Sequence, residues 1–219
     1  MHRIATSLWF GVAGLALAAY PVLRPWGDEA DAETFAAASW PVSHALAMLG
    51  FTALALALRH AAAGLPQWGG RPVREAETRM WLAAALLLPY YGAEAYGLNA
   101  IGQYAAEHRD SGVLEIADAF RFAPLPVTTF ALGLLLLVLV GARQAIGMWR
   151  TGALGRIGGL LAGFGLASYL PQFFGGAELR IVHGIVLGIG LLLVSCVVAS
   201  GRQGATGDTR QSRLEECSA

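Results

Sequence analysis

Leu86-Leu87-Leu88-Pro89-Tyr90-Tyr91-Gly92-Ala93-Glu94-Ala95-Tyr96-Gly97-Leu98-Asn99-Ala100-Ile101-Gly102-Gln103 closes an apolar run long enough to enter a bilayer. Within it stand a carboxylate, Glu94, the tyrosines 90, 91 and 96, and a helix-breaking proline, Pro89. A charge at membrane depth costs about 2.5–3.5 kcal/mol even on lenient insertion scales, so Glu94 reads as a functional position.

The rest of the chain supplies the setting. Of its 219 residues, 56% are hydrophobic and only 14% charged, and mean hydropathy is +0.53. Soluble domains carry nearer a quarter charged residues, so the deficit points to lipid as solvent. Runs of spanning length fall at about Ala5–Leu23, Trp40–Leu58, Met80–Gly97, Val127–Arg143, Ile157–Phe174 and Arg180–Ser200. The expected fold is an all-α polytopic membrane bundle of about six transmembrane helices, with one domain over 1–200 and a polar, disordered tail over 201–219. A soluble bundle would need polar helix faces, which Val127–Val140 and Ile185–Val198 lack. Arg3 followed by Leu8–Ala19 and Ala16-Leu17-Ala18 has the outline of a signal peptide, but the apolar character runs on to Leu23 and favours a span.

Formal net charge is zero and no basic patch is interleaved with aromatics, which argues against a nucleic-acid partner. Cys196 and Cys217 have no metal spacing; Cys196 reads as a small packing residue. Every basic residue is arginine, and with the N-terminus inside only Arg24, Arg109, Arg121 and Arg180 fall on the outer side. That asymmetry predicts a cell-membrane protein with both termini cytoplasmic.

In the connections, Trp26 and Trp40 bracket an acidic outer loop (Asp28, Glu29, Asp31, Glu33) and read as interfacial anchors. The inner loop Ala61–Arg79 is turn-rich, with Gly64-Leu65-Pro66 and Gly69-Gly70. Between the third and fourth spans, Val113 to Phe120 at helical spacing predicts a short helix capped by Asp110 or Ser111. It either lies in the interface with Phe120 and Phe122 in lipid or packs on the bundle. Gly159-x-x-x-Gly163 and Gly184-x-x-x-Gly188 predict close helix packing.

By depth, His44, Glu94 and His183 share the outer layer, with Tyr20, Tyr90, Tyr91, Tyr96, Tyr104, Tyr169, Asn99, Gln103 and Gln172. An outer-half cavity follows, with Glu94, His44 and His183 as candidate catalytic residues. Trp40, Tyr90, Tyr91, Tyr96, Asn99, Tyr169 and Gln172 are its candidate substrate-binding residues. Pro89 and Pro171 are expected to kink their helices beside it. Glu94 would act as general acid for a hydrophobic, isoprenoid-like molecule drawn from the membrane lipids, with aromatic faces stabilising cationic character by about 0.5–2 kcal/mol each. Two histidines and a glutamate also suit a hydrolytic zinc, but no His-Glu-x-x-His spacing supports one; no Gly-x-Ser-x-Gly is present.

In size, multi-helix plan and buried acid, the chain resembles the small integral-membrane terpene cyclases of meroterpenoid pathways. The resemblance implies acid-initiated cyclisation without a required cofactor, and it covers the general plan, so no residue is carried over. Trp40-Pro41-Val42-Ser43-His44 and Arg180-Ile181-Val182-His183-Gly184 also resemble segments of small bacterial multi-pass proteins, which implies no activity. Two other classes remain open. One is a redox protein using a quinone or a b-type haem with His44 and His183 as axial ligands. The other is a small transporter or structural subunit in which Glu94 carries a proton or braces the bundle.

Overall fold

The computed structural model describes residues 1–27, 31–64 and 71–201. The polar tail 202–219 with Cys217, residues 65–70 of the inner loop, and Asp28 and Glu29 of the acidic loop lie outside the described residues, while both flanks of that inner loop, expected as turns, are helical.

All regular structure among these residues is helical: α1 (His2–Leu23), α2 (Ala32–Ala36), α3 (Ser39–Gly64), α4 (Arg71–Gly92), α5 (Asn99–His108), α6 (Glu115–Arg121), α7 (Pro124–Met148), α8 (Gly152–Ala167) and α9 (Ala177–Ser200). A π-helical turn, Ala93–Leu98, joins α4 to α5, and 3₁₀ turns occupy Ser111–Leu114 and Pro171–Phe174. Local chemistry sets the boundaries. Asp31 caps α2 by accepting from the Glu33 amide at 3.1 Å, and Asp110 caps the first 3₁₀ turn through the Gly112 amide at 3.0 Å. Pro124 opens α7, where its missing N–H costs nothing. Gly201, at φ 63°, ends α9 in the left-handed conformation.

The six long helices close into a ring in chain order: α1 packs on α3, α3 on α4, α4 on α7, α7 on α8, α8 on α9, and α9 back on α1. Four of them, α1, α3, α7 and α9, are long and apolar enough to cross a membrane. The other two differ for readable reasons. The first turns of α4 carry Arg71, Arg74, Glu75, Glu77 and Arg79, and α8 is a shorter apolar helix of 16 residues. The run expected to reach Phe174 as one helix stops at Ala167. Pro171 therefore opens a separate 3₁₀ turn and kinks nothing. Pro89, by contrast, sits inside α4, one turn before the π-helical segment.

The main core fills the ring with Phe10, Leu17, Phe51, Leu54, Met80, Leu87, Leu134, Leu137, Leu187 and Leu191. Leu132, Leu135 and Leu139 of α7 point outward, as a lipid-facing helix requires. Cys196 is exposed on the outer wall of the ring, which corrects its reading as a packing residue. A second, smaller core of Phe35, Trp40, Leu98 and Ala117, with Phe120 against it, caps one end. The short helix α6, between α5 and α7, thus packs on the bundle through Ala117 and Phe120, while Phe122 is 69% exposed.

Glycine brings the backbones together. A Cβ at Gly188 would lie 2.7 Å from the Gly14 carbonyl oxygen, where backbone cannot give way. We expect Gly188→Ala to cost about 1–3 kcal/mol through overpacking at the α1–α9 seam, read as a lowered thermal midpoint in detergent.

Candidate functional site

Glu94 lies in the π-helical turn, where the chain widens by one residue. Such turns recur at functional sites because they re-aim a side chain and loosen the backbone ladder. Here the Glu94 carbonyl accepts the Trp40 indole N–H at 2.6 Å. Trp40 is fully buried, so it is a support for the site, not the interfacial anchor or pocket wall that its position in the sequence suggests.

The Glu94 side chain is 6% exposed and faces inward. Its Oε1 accepts the Arg121 Nε–H at 2.8 Å, and its Oε2 lies 3.8 Å from His44 Nε2. His44 is oriented from behind: its Nδ1 sits 2.8 Å from the Trp40 carbonyl oxygen. A carbonyl only accepts, so Nδ1 carries the hydrogen and Nε2 is the atom turned to Glu94. In the ion pair Glu94 is a carboxylate, an acceptor of protons.

Around this pair is a cavity of about 360 Å³, lined by Tyr20, Tyr90, Tyr91, Phe130 and Phe173 on its apolar side and by His44, Glu94, Arg24, Arg121 and Arg180 on its polar side. The residues come from the π-helical turn, the 3₁₀ turn Pro171–Phe174, the C-cap of α1 and the ends of α1, α3, α4, α6, α7 and α9 that meet at the same end of the ring. Aromatic contacts fix the walls. Tyr90 stacks on Phe130 with centroids 4.3 Å apart, Tyr20 meets His44 edge-on at 5.4 Å, and the Tyr91 and Tyr169 hydroxyls are 3.3 Å apart. Arg24 lies over Trp26 at 4.4 Å and Trp40 at 4.8 Å. Arg180 donates to the Phe173 carbonyl at 2.6 Å.

Glu94, His44, Tyr90 and Tyr91, grouped by depth in the sequence, do meet at one cavity, with Tyr169 behind Tyr91. Other candidates fall elsewhere. Tyr96 is 63% exposed and takes no part. Asn99 donates to the Phe35 carbonyl at 2.7 Å, fastening α2 onto the helical rod. Gln172 and His183 border a separate narrow cleft with Tyr169, and His183 Nε2 is 2.8 Å from the Gly165 carbonyl oxygen. The two imidazoles do not face a common space: His44 packs on Tyr91, His183 packs on Tyr169, and the two tyrosines meet between them. Axial ligation of one haem does not fit this arrangement. Nor does a His/His/Glu zinc site, and no group of three metal-ligating side chains occurs among the described residues.

Three arginines of the site are not evident as such in the sequence. Arg121 falls on the polar face of its helix, and Arg180 has the position of a headgroup anchor. The available signal is the scarcity of arginine on the predicted outer side: of the four residues there, Arg24, Arg121 and Arg180 line this one cavity.

No family model, curated protein or solved structure matches the chain.

Proposed function

We propose that the chain is an integral membrane protein in which all six long helices cross the bilayer, with both termini cytoplasmic and the Glu94 cavity in the outer half. In this reading α4 crosses through its apolar part from Met80 onward. α8, about 24 Å long at 1.5 Å per residue, is completed to bilayer depth by the segment through Phe174.

Within that bundle, the function the geometry supports best is binding and transformation of an amphiphile with an anionic head and an isoprenoid-like body. One observation carries it: among the described lining residues, three guanidinium groups, an imidazole and the Glu94 carboxylate share a small cavity opposite aromatic walls. Arginine is the residue suited to buried recognition of phosphate or carboxylate oxygens. The body has a matching place. An apolar groove of about 360 Å³, lined by Ala85, Leu86, Pro89, Ala93, Phe120 and Leu125, adjoins the cavity, and Tyr90 lines both. A substrate held this way enters sideways from lipid, its chain in the groove and its head past Tyr90.

The chemistry centres on the Glu94–His44 pair: a proton taken up from solvent at His44 Nε2, whose Nδ1 already carries one, passes to Glu94 Oε2 across the 3.8 Å that separates them. The cyclisation that the terpene-cyclase resemblance implies asks Glu94 to deliver a proton, whereas the carboxylate in its ion pair accepts one. Delivery requires Arg121 to change partners, and an incoming anionic head provides the new partner.

The test uses protein in detergent with farnesyl phosphate and farnesol as probes, followed by intrinsic tryptophan fluorescence. Saturable binding of the phosphate, at least about tenfold tighter than farnesol and weakened about tenfold by Arg121→Gln, supports the reading. Equal affinity for the two probes, or no effect of the substitution, overturns it.

A further inference from the structure

The narrow cleft beside the Glu94 cavity has a volume of about 10 Å³. Tyr20 and Pro21 of α1 and His183 and Gly184 of α9 form its walls, and Tyr169 and Gln172 close it from the segment that follows α8. The break in that apolar run is what brings Gln172 here. α8 stops at Ala167, and the 3₁₀ turn Pro171–Phe174 buries the Gln172 side chain to 6% exposure.

Two buried side chains bring unused polar atoms to this cleft. The Gln172 amide has no hydrogen-bond partner among the described residues, and neither of its polar atoms is sealed off by protein. His183, 8% exposed, is pinned by its Nε2, 2.8 Å from the Gly165 carbonyl oxygen. A carbonyl only accepts, so Nε2 carries the hydrogen and Nδ1 is left as an acceptor. Nδ1 likewise has no partner among the described residues and is not sealed off. Tyr169 lines the same cleft, meets the His183 ring edge-on at 5.4 Å, and shares a hydroxyl contact of 3.3 Å with Tyr91. A hydroxyl has one donor and two acceptor positions, so that contact leaves capacity for another.

The size and the mixture of donors and acceptors narrow the occupant. Buried polar groups as a rule find a partner, in protein or in ordered water. A cation would face the Arg180 guanidinium, which also lines the cleft, and an anion would face the lone pair of Nδ1. A water both donates and accepts, needs about 10–15 Å³ of room, and is held by two to four polar partners.

We propose that the cleft binds one water molecule, and that His183 and Gln172 act through it as positioning residues for Tyr91. The water accepts from the Gln172 amide and donates to His183 Nδ1 and to the Tyr169 hydroxyl oxygen. Tyr169 in turn donates to Tyr91, whose ring meets those of Tyr20, His44 and Phe130 in the wall of the Glu94 cavity.

The experiment takes the full chain in detergent, labelled with nitrogen-15 at histidine, and water itself is the probe. NMR is expected to show the Nε2–H tautomer of His183 and cross-peaks from a long-lived water to its ring protons, assigned by their loss in His183→Gln. Gln172→Leu, which keeps the side-chain volume and removes the amide, abolishes those cross-peaks and leaves the tautomer in place. Tyr169→Phe, which keeps the ring, repeats the test should Gln172→Leu fail to fold. No long-lived water in the parent, an Nδ1–H tautomer, or unchanged cross-peaks in the folded variants overturns the site. The positioning role rests on the amphiphile reading and has its own readout. Tyr91→Phe and Gln172→Leu each weaken farnesyl phosphate binding about threefold, and the double variant binds no worse than Tyr91→Phe alone, because both break one row. Additive losses, or unchanged affinity in either variant, overturn the role. A parent that does not bind farnesyl phosphate removes the amphiphile reading and this role together, and the water cross-peaks still decide the cleft.

Discussion

Replacing Arg121 by alanine lowers the unfolding free energy by about 3–5 kcal/mol, the cost typical of removing one partner from a buried ion pair. The residue behind that figure is Glu94, 5% exposed, which loses the guanidinium that donates to its Oε1 at 2.8 Å. The cycle is closed by Glu94→Gln and by the double variant. Glu94→Gln alone keeps a polar group of the same shape and costs less, and the double variant Arg121→Ala/Glu94→Gln recovers most of the loss. Thermal or denaturant unfolding in detergent measures all three. Equal destabilisation by Arg121→Ala in the presence and absence of Glu94 would contradict the assignment, because the two side chains would then be uncoupled. The same pair bears on function: Glu94→Gln should leave the protein folded and able to bind, and remove proton transfer.

The second large effect is at Trp40. Trp40→Ala is expected to cost about 3–5 kcal/mol, the range for deleting a fully buried large aromatic. Trp40 is completely enclosed, meets Phe35 edge-on at 4.8 Å, and lies 4.6 Å from the His44 ring. Trp40→Phe separates the contributions, since it keeps most of the packing and removes only the indole bond to the Glu94 carbonyl. Loss of that bond costs about 1 kcal/mol. Its sharper signature is at the site: with the π-helical turn untied, probe affinity falls more than stability does. An unfolding curve and a farnesyl phosphate titration on the same variant read both quantities.

The helices are legible because lipid-length apolar runs leave a plain trace in composition, and the boundaries of α3, α7 and α9 contain the expected spans. The end of α8 is not. Ile157 to Phe174 stays apolar enough to read as one span despite Ser168 and Gln172, and hydropathy alone does not separate the helix from the turn and 3₁₀ segment that follow Ala167. At the site, grouping Glu94, His44, Tyr90 and Tyr91 needs only depth, which topology supplies. Tyr96 and Asn99 escape that grouping for a geometric reason: depth says nothing about which way a side chain faces round its helix. Arg121 escapes it for the opposite reason. Its place on the polar side of a short amphipathic helix is what an exposed residue would show, and only the docking of α6 over the end of the ring turns it onto Glu94. Long-range approach of that kind has no local sequence signal.

The central claim is that the Glu94 cavity receives an amphiphile with an anionic head and an isoprenoid-like body. Photocrosslinking tests it most directly, with a farnesyl phosphate analogue carrying a diazirine on its chain, followed by peptide mapping. The predicted labels fall on the Tyr90–Glu94 segment and on the groove residues Phe120 and Leu125, and they disappear in Arg121→Gln. Labelling confined to outward residues of α7 such as Leu132, Leu135 and Leu139, and unchanged in that variant, would contradict the claim.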